Sequence, residues 1–259
     1  MGKKLSLLVL IGWLISVNNG YANGFSQTMD VHIGMFDAAN IKLDFSEENH
    51  NFNIKAEVET DNFFDTLYPF LGIYSSKGKF GKNGLKPEIY ETYTKSRKNV
   101  RTKQILYNDK GKAYKRISTK NDKRNEVAIK NVPSHADSAD LQSIFAELIG
   151  NFSKNRDCSL KREVYDGKKY YRVIAENKGF ESRYFDFLKR TENAYKCSIY
   201  IENLKNNNDN ILWDVSADKP ISLWIGIDYK AKLPYVLEIK IDSTPLGELK
   251  VLPTSLKTN

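Results

Sequence analysis

The chain has 259 residues, 41% of them apolar, a formal net charge of +8 and two cysteines. That balance is rich enough in apolar and aromatic side chains to bury a sizeable core. It excludes a disordered chain and a cysteine-stapled miniprotein.

The first 22 residues read as a secretory signal peptide. Lys3 and Lys4 form a positive start, Leu5 to Ser16 an apolar run, and Gly20-Tyr21-Ala22 a small-x-small cleavage site. The run of about twelve residues falls short of the ~20 needed to cross a bilayer. Cleavage after Ala22 removes two lysines and no acid, which lowers the charge from +8 to +6. No later segment is long and apolar enough to span a membrane. The expectation is therefore a periplasmic protein with residues 23–259 as a single β-rich domain and no transmembrane span after cleavage. Nucleic acid is not an expected partner in that compartment, and no motif for it is present.

Two-residue alternation dominates the chain beyond residue 22. Ile41, Leu43 and Phe45 alternate with polar residues, as do Phe52, Ile54, Ala56 and Val58, with the polar turn 46–50 between them. Asn62 to Leu71 has apolar residues at the spacing of a short helix, although Pro69 is awkward there. The stretch Leu67–Tyr93 then carries Gly72, Gly78, Gly81 and Gly84, read as turns leading across the end of a sheet, before Pro87 keeps the chain extended. Asn108 to Lys112 is a turn between strands that end at Tyr107 and restart at Ala113. Leu141, Ile144, Phe145, Leu148, Ile149 and Phe152 predict a helix over 138–152, capped by Asp137 or Ser138, with Asp140 favouring its positive end. Asp166-Gly167 supplies a hairpin turn. Asn203 to Asn210 is a loop. In the last hairpin Ile221, Leu223, Ile225, Ile227 and Tyr229 share a face with Tyr235, Leu237, Ile239 and Ile241, and Glu238 lies opposite. About eleven to thirteen strands and two short helices emerge, without a parallel βαβ rhythm. The fold class is mainly β: one antiparallel sheet, strongly curved or partly closed like a barrel.

Cys158 shares parity with Leu160 and Val164, and Cys197 with Ile199 and Ile201, so both thiols point toward the apolar side. An even count in an oxidising compartment favours a Cys158–Cys197 disulfide; two separate buried thiols are the alternative.

Order and spacing of several motifs make this chain resemble the bacterial exported proteins grouped as the domain of unknown function 3108 family. The motifs are Leu67-Tyr68-Pro69-Phe70, Ser76-Lys77-Gly78, Gly84 to Tyr90, Asp140-Leu141-Gln142-Ser143, Val164 to Lys168 and the Leu233-Pro234 hairpin. The resemblance implies a periplasmic β-rich domain and carries over no catalytic residue.

Chemistry-bearing patterns are sparse. Ser134, His135 and Asp137 stand close in sequence, but no G-x-S-x-G elbow is present and a capping loop explains them. His32, His50 and His135 have no zinc-ligand spacing. No cofactor or metal is expected, and the chain reads as a non-enzymatic binding protein. Phe63, Phe64, Tyr68, Phe70, Tyr74 and Trp224, with Trp213 nearby, are candidates to line a concavity for a lipid or other amphipathic ligand. Core packing is the competing explanation. Lys95, Arg97, Arg101 and Lys103 form the densest basic run and, if extended, share one face. That face could meet an envelope protein or an anionic glycan, or simply guard a strand edge.

Overall fold

The computed structural model describes residues 23–81, 84–129, 138–167, 169–204, 215–228, 232–244 and 246–258. Residues 1–22, the Ser134-His135-Asp137 group, most of the asparagine-rich loop, Trp213 and Tyr229 lie outside the described residues. In chain order the elements are β1 (Asn23–Ile33), β2 (Phe36–Glu48), β3 (Asn51–Thr60), α1 (Asn62–Leu67), β4 (Phe70–Gly81), β5 (Gly84–Ser96), β6 (Val100–Tyr107), β7 (Ala113–Lys120) and β8 (Lys123–Ala128). After them come α2 (Leu141–Asn155), β9 (Leu160–Tyr165), β10 (Tyr170–Phe185), β11 (Arg190–Asn203), β12 (Ile221–Ile227), β13 (Pro234–Thr244) and β14 (Gly247–Thr258).

The strands form one antiparallel sheet in the order β8-β7-β6-β5-β4-β3-β2-β1-β14-β13-β12-β11-β10-β9. Two meanders thus meet where β1 pairs with β14, with Val31 opposite Val251. Among the described residues no ladder joins β8 to β9, so the sheet is not closed. It is nevertheless strongly curved. Helix α2 packs against β3, β4 and β5 and also against β9 and β13, which stand far apart in the strand order. Only a concave sheet reaches one helix from both sides. Across the gap, Lys103 on β6 and Arg116 on β7 donate to the carbonyls of Asp166 and Gly167 in the β9–β10 turn. The expected fold class is the observed one.

The main core lies between α2 and the concave face. Phe25, Phe45, Phe52 and Ile54 from β1–β3 meet Ala146, Ile149 and Phe152 of α2, and Leu223, Ile225 and Val251 close the other side. Cys158 and Cys197, with Cα atoms 6.3 Å apart and sulfurs at bonding distance, belong to this core. The bridge ties the segment after α2 to the middle of β11.

Several local expectations are corrected. Fourteen strands are present among the described residues where eleven to thirteen were expected; the six residues of β8 are all exposed and carry no alternation that could announce them. The β2–β3 turn is only Asn49-His50, both with positive φ, so the strands run further than residues 46–50 suggested. Gly72 and Gly78 are not turns but positions inside β4. A Cβ at Gly72 would meet the rings of Phe70 and Tyr74 at 2.8–2.9 Å. Helix α1 stops at Leu67, before Pro69, and Asp61 caps it. The cap of α2 is Asp140, not Asp137 or Ser138, with its side chain accepting from the Ser143 N–H. Arg156 ends α2 in the left-handed region at φ 57°.

The last hairpin departs most. Leu223 faces Ile239 but Ile225 faces Val236, a β-bulge that leaves Leu237 as the extra residue. Tyr235 and Leu237 therefore join Trp224, Phe185 and Ala194 on the outer face, and Val236 takes the inner position. Glu238 is buried there against Arg183 at 2.8 Å instead of facing water.

Candidate functional site

Helix α2 starts beside Ser76, at mid-height of β4, and runs toward Phe80, over which Lys154 sits at 5.6 Å. It therefore fills one half of the concavity. Between its first two turns and the sheet is a hollow of about 380 Å³. Leu141, Gln142, Ile144, Phe145 and Leu148 of α2 form one wall. Facing them are Met29, Ile41, Leu43 and Ala56 from β1–β3 and Leu160, Val173, Ala175, Ile199, Ile221, Leu223 and Ile239 from the other meander. Of these sixteen side chains only Gln142 is polar. Leu141, 47% exposed, marks the open margin.

The helix that walls the hollow is held by polar ties as well as packing. Asp140 is fully buried. Its carboxylate accepts from the Ser143 N–H at 2.8 Å and hydroxyl at 2.7 Å, and from the Tyr107 hydroxyl at 3.2 Å. The Ser76 hydroxyl lies 3.1 Å from the same carboxylate and 2.7 Å from the Ser143 hydroxyl. Burial pushes the Asp140 carboxyl above its usual range, while the hydrogen bonds from Ser143 and Ser76 oppose that rise. Burial likewise raises the Tyr107 hydroxyl, reinforced by the neighbouring Asp140. One turn later Glu147, nearly buried, forms a forked pair with Arg162 of β9, with Arg162 Nε 2.9 Å from Oε2 and Nη2 2.5 Å from Oε1. These ties join α2 to β4, β6 and β9. The wall is pre-formed.

The aromatic residues singled out in the sequence do not line the hollow. Phe63 and Tyr68 are exposed at the sheet's rim, Phe64 packs at the margin of the core, and Phe70 and Tyr74 are half-buried. Helix α1, which carries Phe63 and Phe64, ends at Leu67 at the rim, and Phe70 and Tyr74 belong to β4. Trp224 points outward because its neighbours Leu223 and Ile225 take the inward positions, and the Arg183 guanidinium stacks over it at 4.4 Å. The residues that do line the hollow, Met29, Ile144 and Ile199 among them, look in sequence like any core residue.

Nor do the four basic residues share a face. The chain reverses at 97–99, so Lys95 pairs with Val100, Arg101 pairs with Thr94, and the two point to opposite faces. Arg97 lies in the turn and donates to the Thr66 carbonyl at 2.6 Å. Lys103 turns inward under Tyr90, and burial lowers its ammonium below the usual lysine range.

Among the described residues no group of three His, Cys, Asp or Glu side chains is arranged to hold a metal ion. His32 pairs with Asp37 at 2.7 Å, and His50 is a turn residue. No helix among the described residues is long and apolar enough to cross a membrane.

The fold is similar to the crystal structure of a beta-barrel-like protein of domain of unknown function DUF1849 from Brucella abortus. The TM-score is 0.52 at 9% identity, over 92% of this chain and 98% of that one. At that identity the likeness is one of fold alone. No curated protein matches the sequence. Residues 28–250, nearly the whole described chain, match the family model DUF3108, a family of proteins of unknown function. This open, helix-filled sheet therefore belongs to a member of the DUF3108 family.

Proposed function

We propose that this protein is a non-enzymatic carrier or sensor that takes an apolar chain, such as the acyl part of an amphipathic lipid, into the hollow beside α2. The observation that carries this reading is the lining. A volume of about 380 Å³ falls in the range of small-molecule sites, roughly 300–1,000 Å³. Water placed in such a space needs about two to four polar partners, and the Gln142 amide is the one polar side chain lining it. An alkyl chain needs none and gains about 0.8 kcal/mol for each methylene it buries.

Binding fits the polar groups better than bond making does. Ser76 and Ser143 sit against Asp140, sealed away from the hollow, and their hydrogen bonds hold a helix terminus. The Cys158–Cys197 pair supports an oxidising compartment, in keeping with residues 1–22 as an export signal.

Titration of the full mature chain with a dansyl-labelled undecanoate tests the reading. Saturable fluorescence enhancement is expected, and Ala56→Phe, which projects a ring into the hollow, should weaken it at least about tenfold. No enhancement, or equal affinity in the Ala56→Phe variant, overturns the proposal.

A further inference from the structure

Six of the most exposed large apolar side chains gather at one end of the sheet. They are Met35 (94% exposed) and Phe36 (53%) at the β1–β2 tip, Phe63 (57%), Leu67 (44%) and Tyr68 (72%) on and after α1, and Leu246 (64%) at the β13–β14 tip. They are held in place rather than trailing. The Phe36 and Phe63 rings stack 6.0 Å apart, and Phe64, which anchors α1 to the core, meets Phe63 edge-on at 5.8 Å. Gly34 N–H donates to the Glu248 carbonyl at 2.9 Å, which joins the two hairpin tips.

Basic turns adjoin this patch at the same end. Lys95, Arg97 and Lys98 surround the β5–β6 turn, and Lys120 and Lys123 flank the β7–β8 turn; all are exposed. Arg97 bonds the Thr66 carbonyl in α1, and the two turns are linked by Val100 N–H to the Asn121 side chain at 3.0 Å. The acids nearby are partly engaged: Asp37 with His32 at 2.7 Å, Asp61 as the α1 cap, 2.8 Å from the Asn62 N–H, and the exposed Asp65 of α1, 3.4 Å from the Thr60 hydroxyl. Asp122 is the one acid within the β7–β8 turn.

We propose that this end docks on the surface of an anionic lipid bilayer, with the apolar tips in the interface and the basic turns over the headgroups. Protruding Met, Phe, Leu and Tyr side chains need no shaped partner in a fluid interface, and adjacent cations supply the second attraction that stable surface binding requires. The proposal extends the ligand reading by naming where the acyl chain comes from. Helix α2 fills the opposite half of the concavity, so the unfilled half faces this end.

Flotation of the full mature chain with phosphatidylcholine vesicles containing one quarter phosphatidylglycerol tests it, with pure phosphatidylcholine as the comparison. Binding to the anionic vesicles is expected. Phe63→Ser with Tyr68→Ser, and separately Arg97→Glu with Lys98→Glu, should each reduce partitioning at least about tenfold, since one charge near such a surface is worth about fivefold. An unchanged circular dichroism spectrum and melting temperature show that these variants are folded, whatever the dansyl-undecanoate titration gives, so the two proposals stand or fall separately. Absence of flotation overturns the proposal, as does a serine pair that floats like the parent protein. A concentration-dependent dimer abolished by Phe63→Ser also overturns it, because the patch would then belong to a second copy.

Discussion

The two wings of the sheet are stabilised differently. Around β11–β13 both faces are buried: Leu223, Ile225 and Val236 face α2, while Trp224, Tyr235 and Leu237 lie under the tip of the β10–β11 hairpin. Around β5–β7 the buried apolar residues reduce to Pro87, Tyr90, Ile105, Tyr107 and Ala113, and β8 contributes none. That wing is tied inward by polar groups instead, through Tyr107 to Asp140 and through Lys103 and Arg116 to the β9–β10 turn. One continuous ladder therefore spans two regimes, apolar burial on one side and directed hydrogen bonds to the α2 cap and the β9–β10 turn on the other. The first is tolerant of geometry and the second is not.

The largest effect is expected where the helix meets the thick wing. Phe152 is fully buried, and its ring meets Tyr195 edge-on at 5.1 Å. Phe152→Ala should cost about 3–5 kcal/mol, measured by chemical denaturation. In the thin wing Tyr107→Phe keeps the ring and removes one hydrogen bond to Asp140, so it should cost only about 1–2 kcal/mol. Equal losses for the two would mean that the wings are not stabilised differently. Next comes the Cys158–Cys197 pair, which closes a 39-residue separation. Reduction should lower stability by about 2–4 kcal/mol. Thiol titration of the unfolded, unreduced protein should find none free; two titrating thiols would show that the cysteines are not bonded.

Much of the sheet was legible, because a half-buried antiparallel strand writes its two faces into alternate residues. Ile41, Leu43 and Phe45 opposite Val58, Ala56 and Ile54, and the parity of the two cysteines, could be read directly. The bulge at Leu237 could not. One extra residue exchanges the faces of Tyr235 and Val236, and both are apolar, so the pattern looked continuous. The hollow was illegible for a related reason: residues lining a cavity and residues filling a core obey the same alternation, and only the distance from α2 to the sheet separates them. For the basic run the missing information was a chain reversal at residues 97–99, which carry neither glycine nor proline to signal a turn. Asp140 was readable as an acid near a helix start, but its burial depends on β4 and β6 arriving from elsewhere in the chain.

Asp140 offers a smaller but sharper test of the polar regime. Its folded-state pKa is raised by burial, against hydrogen bonds that lower it. An acid with a raised folded pKa binds its proton more tightly when folded. Its contribution to stability is then complete below the ordinary carboxylate range and is lost as pH rises through the raised value. Asp140→Asn keeps the shape and the capping oxygen but cannot titrate. It should cost about 1 kcal/mol in acid, and the gap to the parent protein should narrow as pH rises from about 4 toward neutrality. A gap that widens with pH would mean that the hydrogen bonds outweigh burial and that the carboxylate is stabilised in its charged form.

The smallest effect belongs to the end of the thin wing. Glu126 on β8 pairs with Lys115 at 2.6 Å and Arg124 at 2.5 Å, and these partners hold its carboxyl below the usual range. All six residues of β8 are nonetheless exposed, and exposed pairs are screened by water and salt. Glu126→Gln should leave the melting temperature unchanged. What these charges do is guard an edge: β8 is the last strand on its side of the sheet, and a row of unpaired backbone groups invites another chain. Replacing Lys123, Arg124 and Glu126 together with threonine should therefore keep the melting temperature within a degree or two, as expected for surface changes. The same variant should raise light scattering on concentration. A large drop in melting temperature would show that ion pairs, not the inward ties of β6 and β7, hold this wing in place.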